Sequence, residues 1–113
     1  FNYWGFARAA VEEANHAHVA LVYNCDQRDV VGGSVAATFS RVRDWVRHVH
    51  MHELNRGYPY PELFELLEGD GYEGYLSSEL SAENPSPEQF LAMYAALVRA
   101  WAGQPFAAAR LEP

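Results

Sequence analysis

Three histidines at alternate positions, His48, His50 and His52, stand in the run Arg47-His48-Val49-His50-Met51-His52-Glu53-Leu54-Asn55-Arg56. If that run is a strand, side chains alternate with period two and the three imidazoles share one face. Imidazoles projecting together from a strand end suit a divalent metal or an anionic substrate. Further donors have to come from neighbouring elements, and two short segments offer them. Tyr23-Asn24-Cys25-Asp26 closes one apolar run, and Ser78-Glu79 closes another. Asn24 or Asp26, His50 and Glu79 would then converge as one mixed imidazole and oxygen set, which suits manganese, magnesium, cobalt or zinc better than a soft metal. His52-Glu53 has no second histidine at helical spacing, so the zinc-protease motif is excluded. Cys25, the single cysteine, has no activating neighbours legible in the sequence and reads as a small buried residue.

Positioning these groups falls to alternating helices and strands. Residues 4–15 carry Phe6, Ala10, Val11 and Ala14 at helical spacing, and 18–23 form a short apolar run with β-branched residues, read as a strand. Gly32-Gly33 breaks the chain before a helix over 34–43. The histidine strand covers 45–52. Pro61 opens a helix that Gly69 ends, and 74–80 form the third strand. The last helix has Ser86 as N-cap, Pro87 at its first position and Gln89 to complete a capping box. Its apolar stripe is Phe90, Leu91, Tyr94, Leu97, Val98 and Trp101. Glu62, Glu65 and Glu68 read as a solvated helix face. Strands separated by helices imply parallel pairing, and functional groups then gather at the carboxyl ends of the strands. Three such strands leave two open edges, so the pattern is incomplete as an architecture. No Gly-x-Gly-x-x-Gly turn follows the first strand, which removes the main signal for dinucleotide binding.

Composition excludes other classes. Of 113 residues, 50% are apolar and 14% aromatic, which is a core-forming composition rather than a disordered one. A net charge of −7 opposes nucleic acid as a partner, because phosphate binding needs a basic face. No apolar run reaches membrane-spanning length, and one cysteine fits a reducing compartment, so a cytoplasmic protein with no membrane partner is expected.

Three blocks carry a family resemblance: His48-Val49-His50, Tyr58-Pro59-Tyr60-Pro61-Glu62-Leu63-Phe64, and Gly71-Tyr72-Glu73-Gly74-Tyr75-Leu76-Ser77-Ser78-Glu79. Together with Tyr23-Asn24-Cys25-Asp26 and Asp29-Val30-Val31-Gly32-Gly33-Ser34-Val35, they resemble the C-terminal portion of the sugar isomerase/epimerase family with the xylose-isomerase-like barrel. The resemblance implies that residues 1–113 are the C-terminal segment of a single (β/α)8 TIM-barrel domain, an α/β fold with three parallel strands alternating with helices. It also implies a divalent metal ion held by His50, Glu79 and, where most members carry an aspartate, Asn24. Glu79 would double as the catalytic acid/base group, and Arg56 would contact substrate, with His52 beside it. Gln27 stands where many members carry a substrate histidine. The family's second glutamate would lie on a strand before Phe1.

The implied chemistry is metal-assisted proton transfer next to the carbonyl of a ketose or related polyol, an isomerase or epimerase activity in carbohydrate metabolism. The alternative is a non-catalytic carbohydrate-binding or interaction protein on a degenerate barrel, which Asn24 and Gln27 favour. The expected partners are a small sugar or polyol and either the rest of the barrel or a second copy of the chain.

Overall fold

The computed structural model describes residues 3–80 and 86–102. It forms two compact units, residues 1–80 and 81–113. In order, the first unit contains α1 (Tyr3–Ala14), β1 (Leu21–Asn24), α2 (Ala36–Val42), β2 (Val46–Met51), α3 (Tyr60–Gly69) and β3 (Tyr75–Ser78). The second contains α4 (Pro87–Trp101). The fold class is therefore α/β, with three parallel strands and four helices.

The sheet order is β1-β2-β3, and both pairings are parallel. Asn24 pairs with His50, and His50 with Ser77, so these three residues share one level and one face. Val22, His48 and Tyr75 form the level before it. The opposite face holds Tyr23, Cys25, Val49 and Met51, all buried. The helices supply Val11, Phe39, Val42, Leu63, Phe64 and Leu67 to the same core, and Tyr23 meets Phe39 edge-on at 5.7 Å between ring centroids. Burying these side chains stabilises the unit by about 1.5–3 kcal/mol each. The sheet is thus two-faced: one face is covered by helices, and the other carries the histidines.

Local signals explain most boundaries. Asn15, at φ 42°, takes the left-handed position that ends α1, and its N–H donates to the Val11 carbonyl. Gly32 and Gly33, at φ 60° and 81°, make a tight turn between the bridged residues Val31 and Ser34, a conformation with two positive φ values. α3 ends at Gly69 as expected, and Gly71, at φ 69°, supplies the left-handed residue that closes it. Gly71 N–H bonds Glu68 O and Tyr72 N–H bonds Leu67 O, the paired closure of a left-handed helix stop. β1 begins three residues later than its apolar run, because His16 to Ala20 are used as the turn out of α1.

Two capping expectations change. Ser86 is the N-cap of α4 but makes no side-chain cap bond, so the Ser86–Gln89 box does not form. A capping box forms instead at Asp26 and Asp29, around the 3-10 turn Gln27–Asp29 that follows β1. Glu62 is not a solvated residue either. Its Oε1 accepts from Ser34 Oγ at 2.7 Å and from the Val35 N–H at 2.8 Å, so α3 caps the start of α2. Along α4, Phe90 and Tyr94 stack loosely at 6.2 Å and Tyr94 is buried, whereas Leu91 and Leu97 of the expected stripe are exposed.

Candidate functional site

The carboxyl ends of the three strands bring the sequence-expected residues together. Cys25 N–H donates to His50 O and Glu79 N–H donates to Met51 O, so the ladder continues one residue past β1 and past β3. That continuation aims Asn24, His50, His52 and Glu79 to the same side. His50 Nδ1 lies 3.7 Å from Glu79 Oε2. His52 Nε2 is 2.7 Å from Asn24 Oδ1, and its Nδ1 is 3.2 Å from the backbone oxygen of Glu79. The His52 N–H donates to the Tyr60 hydroxyl at 2.8 Å. One histidine therefore touches all three strand ends. Deeper on the face, His48 Nε2 meets Ser77 Oγ at 2.9 Å, and the His48 ring stands edge-on to His50 at 5.0 Å.

A cleft of about 330 Å³ opens beside these groups, bordered by Asn24, Asp26, Gln27, His52, Arg56 and Tyr58. Arg56 is exposed and lies 3.5 Å from Glu53. Gln27, which stands where the resemblance places a substrate histidine, donates its amide to the Arg56 carbonyl at 3.0 Å. The side chain that differs from the family pattern thus ties the loop after β1 to the loop after β2. Asp26, the other candidate oxygen at the end of β1, is occupied by Arg28, whose backbone N–H and guanidinium both bond its carboxylate. Those bonds hold the Asp26 carboxyl below its ordinary value. Two larger clefts, of about 400 and 380 Å³, lie where the chain enters the strands, among residues such as Asn15, Trp45 and Arg47 or Arg43, Asp70 and Gly74. In a parallel sheet that is the end opposite the chemistry.

Behind the cleft is a polar core that the sequence did not disclose. Asp29 is 1% exposed. Its carboxylate accepts from the Tyr3 hydroxyl, from the Tyr58 hydroxyl at 3.1 Å and from the Asp26 N–H at 3.0 Å. With its proton on Asp29, the Tyr58 hydroxyl accepts from the Tyr23 hydroxyl at 3.3 Å. Burial pushes the Asp29 carboxyl up in spite of these donors, and pushes all three tyrosines up as well. The hydroxyl of Tyr58 is thus turned inward, away from any ligand in the cleft. The one signal for this arrangement was the Asp-x-x-Asp spacing directly after a strand. Cys25 is buried as expected, and its thiol is pushed up to about 12 by desolvation.

Two ligands on one divalent ion, with bonds near 2.1 Å, lie roughly 3–3.5 Å apart. His50 Nδ1 and Glu79 Oε2, at 3.7 Å, stand slightly wider than that spacing. Among the described residues no three of histidine, cysteine, aspartate and glutamate gather into a set that could hold a metal ion.

No family model matches the chain, and no curated protein does. Among solved structures, the chain is similar to the apo crystal structure of 3-keto-D-glucoside 4-epimerase (YcjR) from E. coli, with 26% identity and a TM-score of 0.68. The likeness covers 86% of this chain and 39% of that one, so the chain spans less than half the length of the epimerase it matches.

Proposed function

We propose that this chain is part of a sugar epimerase or isomerase of the cytoplasm, and that its sheet is the C-terminal part of a (β/α)8 barrel whose inner face carries the histidines. The observation that carries this reading is the approach of His50 to Glu79 at the carboxyl end of a parallel sheet, beside a cleft bordered by Arg56. The likeness to a sugar epimerase over 86% of the chain supports it. The substrate is a ketose or a related polyol carrying a carbonyl.

His50 and Glu79, with Asn24, are the residues that would hold a divalent ion, manganese, magnesium, cobalt or zinc. A divalent ion bound there would supply Lewis-acid polarisation of the carbonyl and the adjacent hydroxyl. Glu79, exposed at the strand end, takes the proton from the carbon beside that carbonyl and holds it on its carboxylate. The electron pair left on carbon is delocalised onto the carbonyl oxygen as an enediolate. A second acid/base group, not identified among the described residues, returns a proton to the opposite face or to the neighbouring carbon. Arg56 borders the cleft, and its guanidinium, paired with Glu53, is the nearby cation that would donate to substrate hydroxyls and the developing oxyanion. His52 and Gln27 shape the same wall.

Proton transfer at carbon leaves an isotopic record. Incubated in heavy water with free ketoses and 3-keto-glucosides, the full-length protein should place deuterium on the carbon beside the carbonyl. Glu79→Gln should lower that incorporation by about 100-fold or more, the usual worth of a general base. Failure to exchange any substrate of the series, with and without added manganese, would overturn the proposal.

A further inference from the structure

The imidazole of His52 is held from both sides. Nδ1 faces the backbone oxygen of Glu79 at 3.2 Å, and Nε2 faces the side-chain amide of Asn24 at 2.7 Å through Oδ1. A carbonyl oxygen only accepts, and a neutral imidazole carries one proton. As they stand, the two contacts would require donors on both ring nitrogens. The Asn24 amide resolves this, because half a turn about its Cβ–Cγ bond exchanges Oδ1 and Nδ2 and moves nothing else. The backbone of Glu79 has no such freedom, since its N–H is fixed in the ladder to Met51 at 2.8 Å. If the proton sat on Nε2 instead, the Nδ1 lone pair would face the Glu79 carbonyl lone pairs at 3.2 Å, with no hydrogen between them.

We propose that His52 is a positioning residue whose Nδ1–H is committed to the Glu79 carbonyl and whose bare Nε2 grips Asn24 by its NH2 group, turning the Asn24 oxygen toward the open sheet surface shared with His50. Asn24 and His50 are direct partners in the β1–β2 ladder, while His52 lies one level further on, so an oxygen turned away from His52 is turned back toward His50. The result is a neutral acceptor with a fixed direction. It accepts a hydroxyl hydrogen of a polyol, or offers an uncharged oxygen to a cation. A freely rotating amide would present donor and acceptor alternately. The consequence for sugar binding rests on the epimerase reading above, whereas the tautomer of His52 does not.

The test is direct. In the full chain with isotope-labelled histidine, ring proton–nitrogen correlation spectra at about pH 8.5, above the ordinary imidazole range, report which nitrogen holds the proton. The chain has five histidines, and His52→Gln identifies the signal. A protonated Nδ1 with a pyridine-like Nε2 is expected. Asn24→Asp, whose carboxylate only accepts, should move the proton onto Nε2. A proton on Nε2 in the native chain, protons on both nitrogens at that pH, or a spectrum unchanged by Asn24→Asp would each overturn the proposal. Loss of the epimerase reading would show as absent deuterium exchange with the tautomer intact, so the two failures are distinguishable.

Discussion

Burial decides the chemistry of single residues here more than residue type does. Cys25 has its thiol pushed up to about 12 and is 4% exposed, so at neutral pH it is neither ionised nor reachable. Native protein should resist iodoacetamide at about pH 8 and label only in denaturant; fast native labelling, followed by mass, would contradict this. Asp26 and Asp29 pull stability in opposite directions around the ordinary carboxylate value of 3.8. Asp26 is held low, so its contribution is complete above 3.8 and is lost as pH falls through its folded value. Asp29 is pushed up. The unfolded chain releases that proton first, and stability therefore falls as pH rises from 3.8 through the folded value. Relative to Asp29→Asn, the wild type should be less favoured at about pH 7 than at about pH 4, as read from urea midpoints. A difference that does not change with pH would refute the sign. Of these features, only the inert cysteine was legible in the sequence. The buried carboxylate depends on Tyr3, Tyr23 and Tyr58, which lie far apart along the chain.

Among the elements, helices and strands follow local spacing closely, while their caps come from elsewhere in the fold. α2 has Val35 at its N-cap, a residue with no side-chain acceptor, and Glu62 on α3 instead accepts from the Val35 N–H and from Ser34 Oγ at the mouth of the helix. Glu62→Ala should cost roughly 1 kcal/mol by urea unfolding, the scale of a lost N-cap, and an unchanged midpoint would show the cap to be idle. A glutamate at a helix start reads in sequence as a solvated charge, because its acceptors' partners are 27 and 28 residues away. Gly74 is the reverse case, a residue whose type is dictated by a neighbour. A Cβ there would sit 2.7 Å from the Arg47 carbonyl, where β2 and β3 begin. Gly74→Ala should destabilise by about 1–3 kcal/mol and disturb β3, which carries Glu79 at its far end. Wild-type stability in that variant would contradict the close approach.

At the largest scale, the first unit carries an exposed sheet face among the described residues. Val22 is 54% and Tyr75 78% exposed, on either side of His48 at its level, and among the described residues β1 and β3 each pair on one side only. Apolar side chains beside open strand edges are a template for further pairing. We therefore expect the 113-residue chain on its own to self-associate, and a Val22→Thr, Tyr75→Thr double variant to do so less, as measured by sedimentation. A monomer at all concentrations would oppose the reading of this face as a barrel interior. No helix of the described residues is long and apolar enough to cross a membrane.

The alternation of helix and strand, the terminal positions of Asn24, His50 and Glu79, and the burial of Cys25 were set by local pattern. Period-two and helical spacing need no knowledge of the partner, and strand ends follow from the turn residues that close them. The tertiary structure alone decided what those positions mean. It placed His50 within 3.7 Å of Glu79 across 29 residues of chain, tied His52 to two neighbouring strands, and spent Asp26 on a cap and Gln27 on the Arg56 loop. Each of these turns on register and loop path. A slip of one residue would have sent every one of the strand side chains to the opposite face.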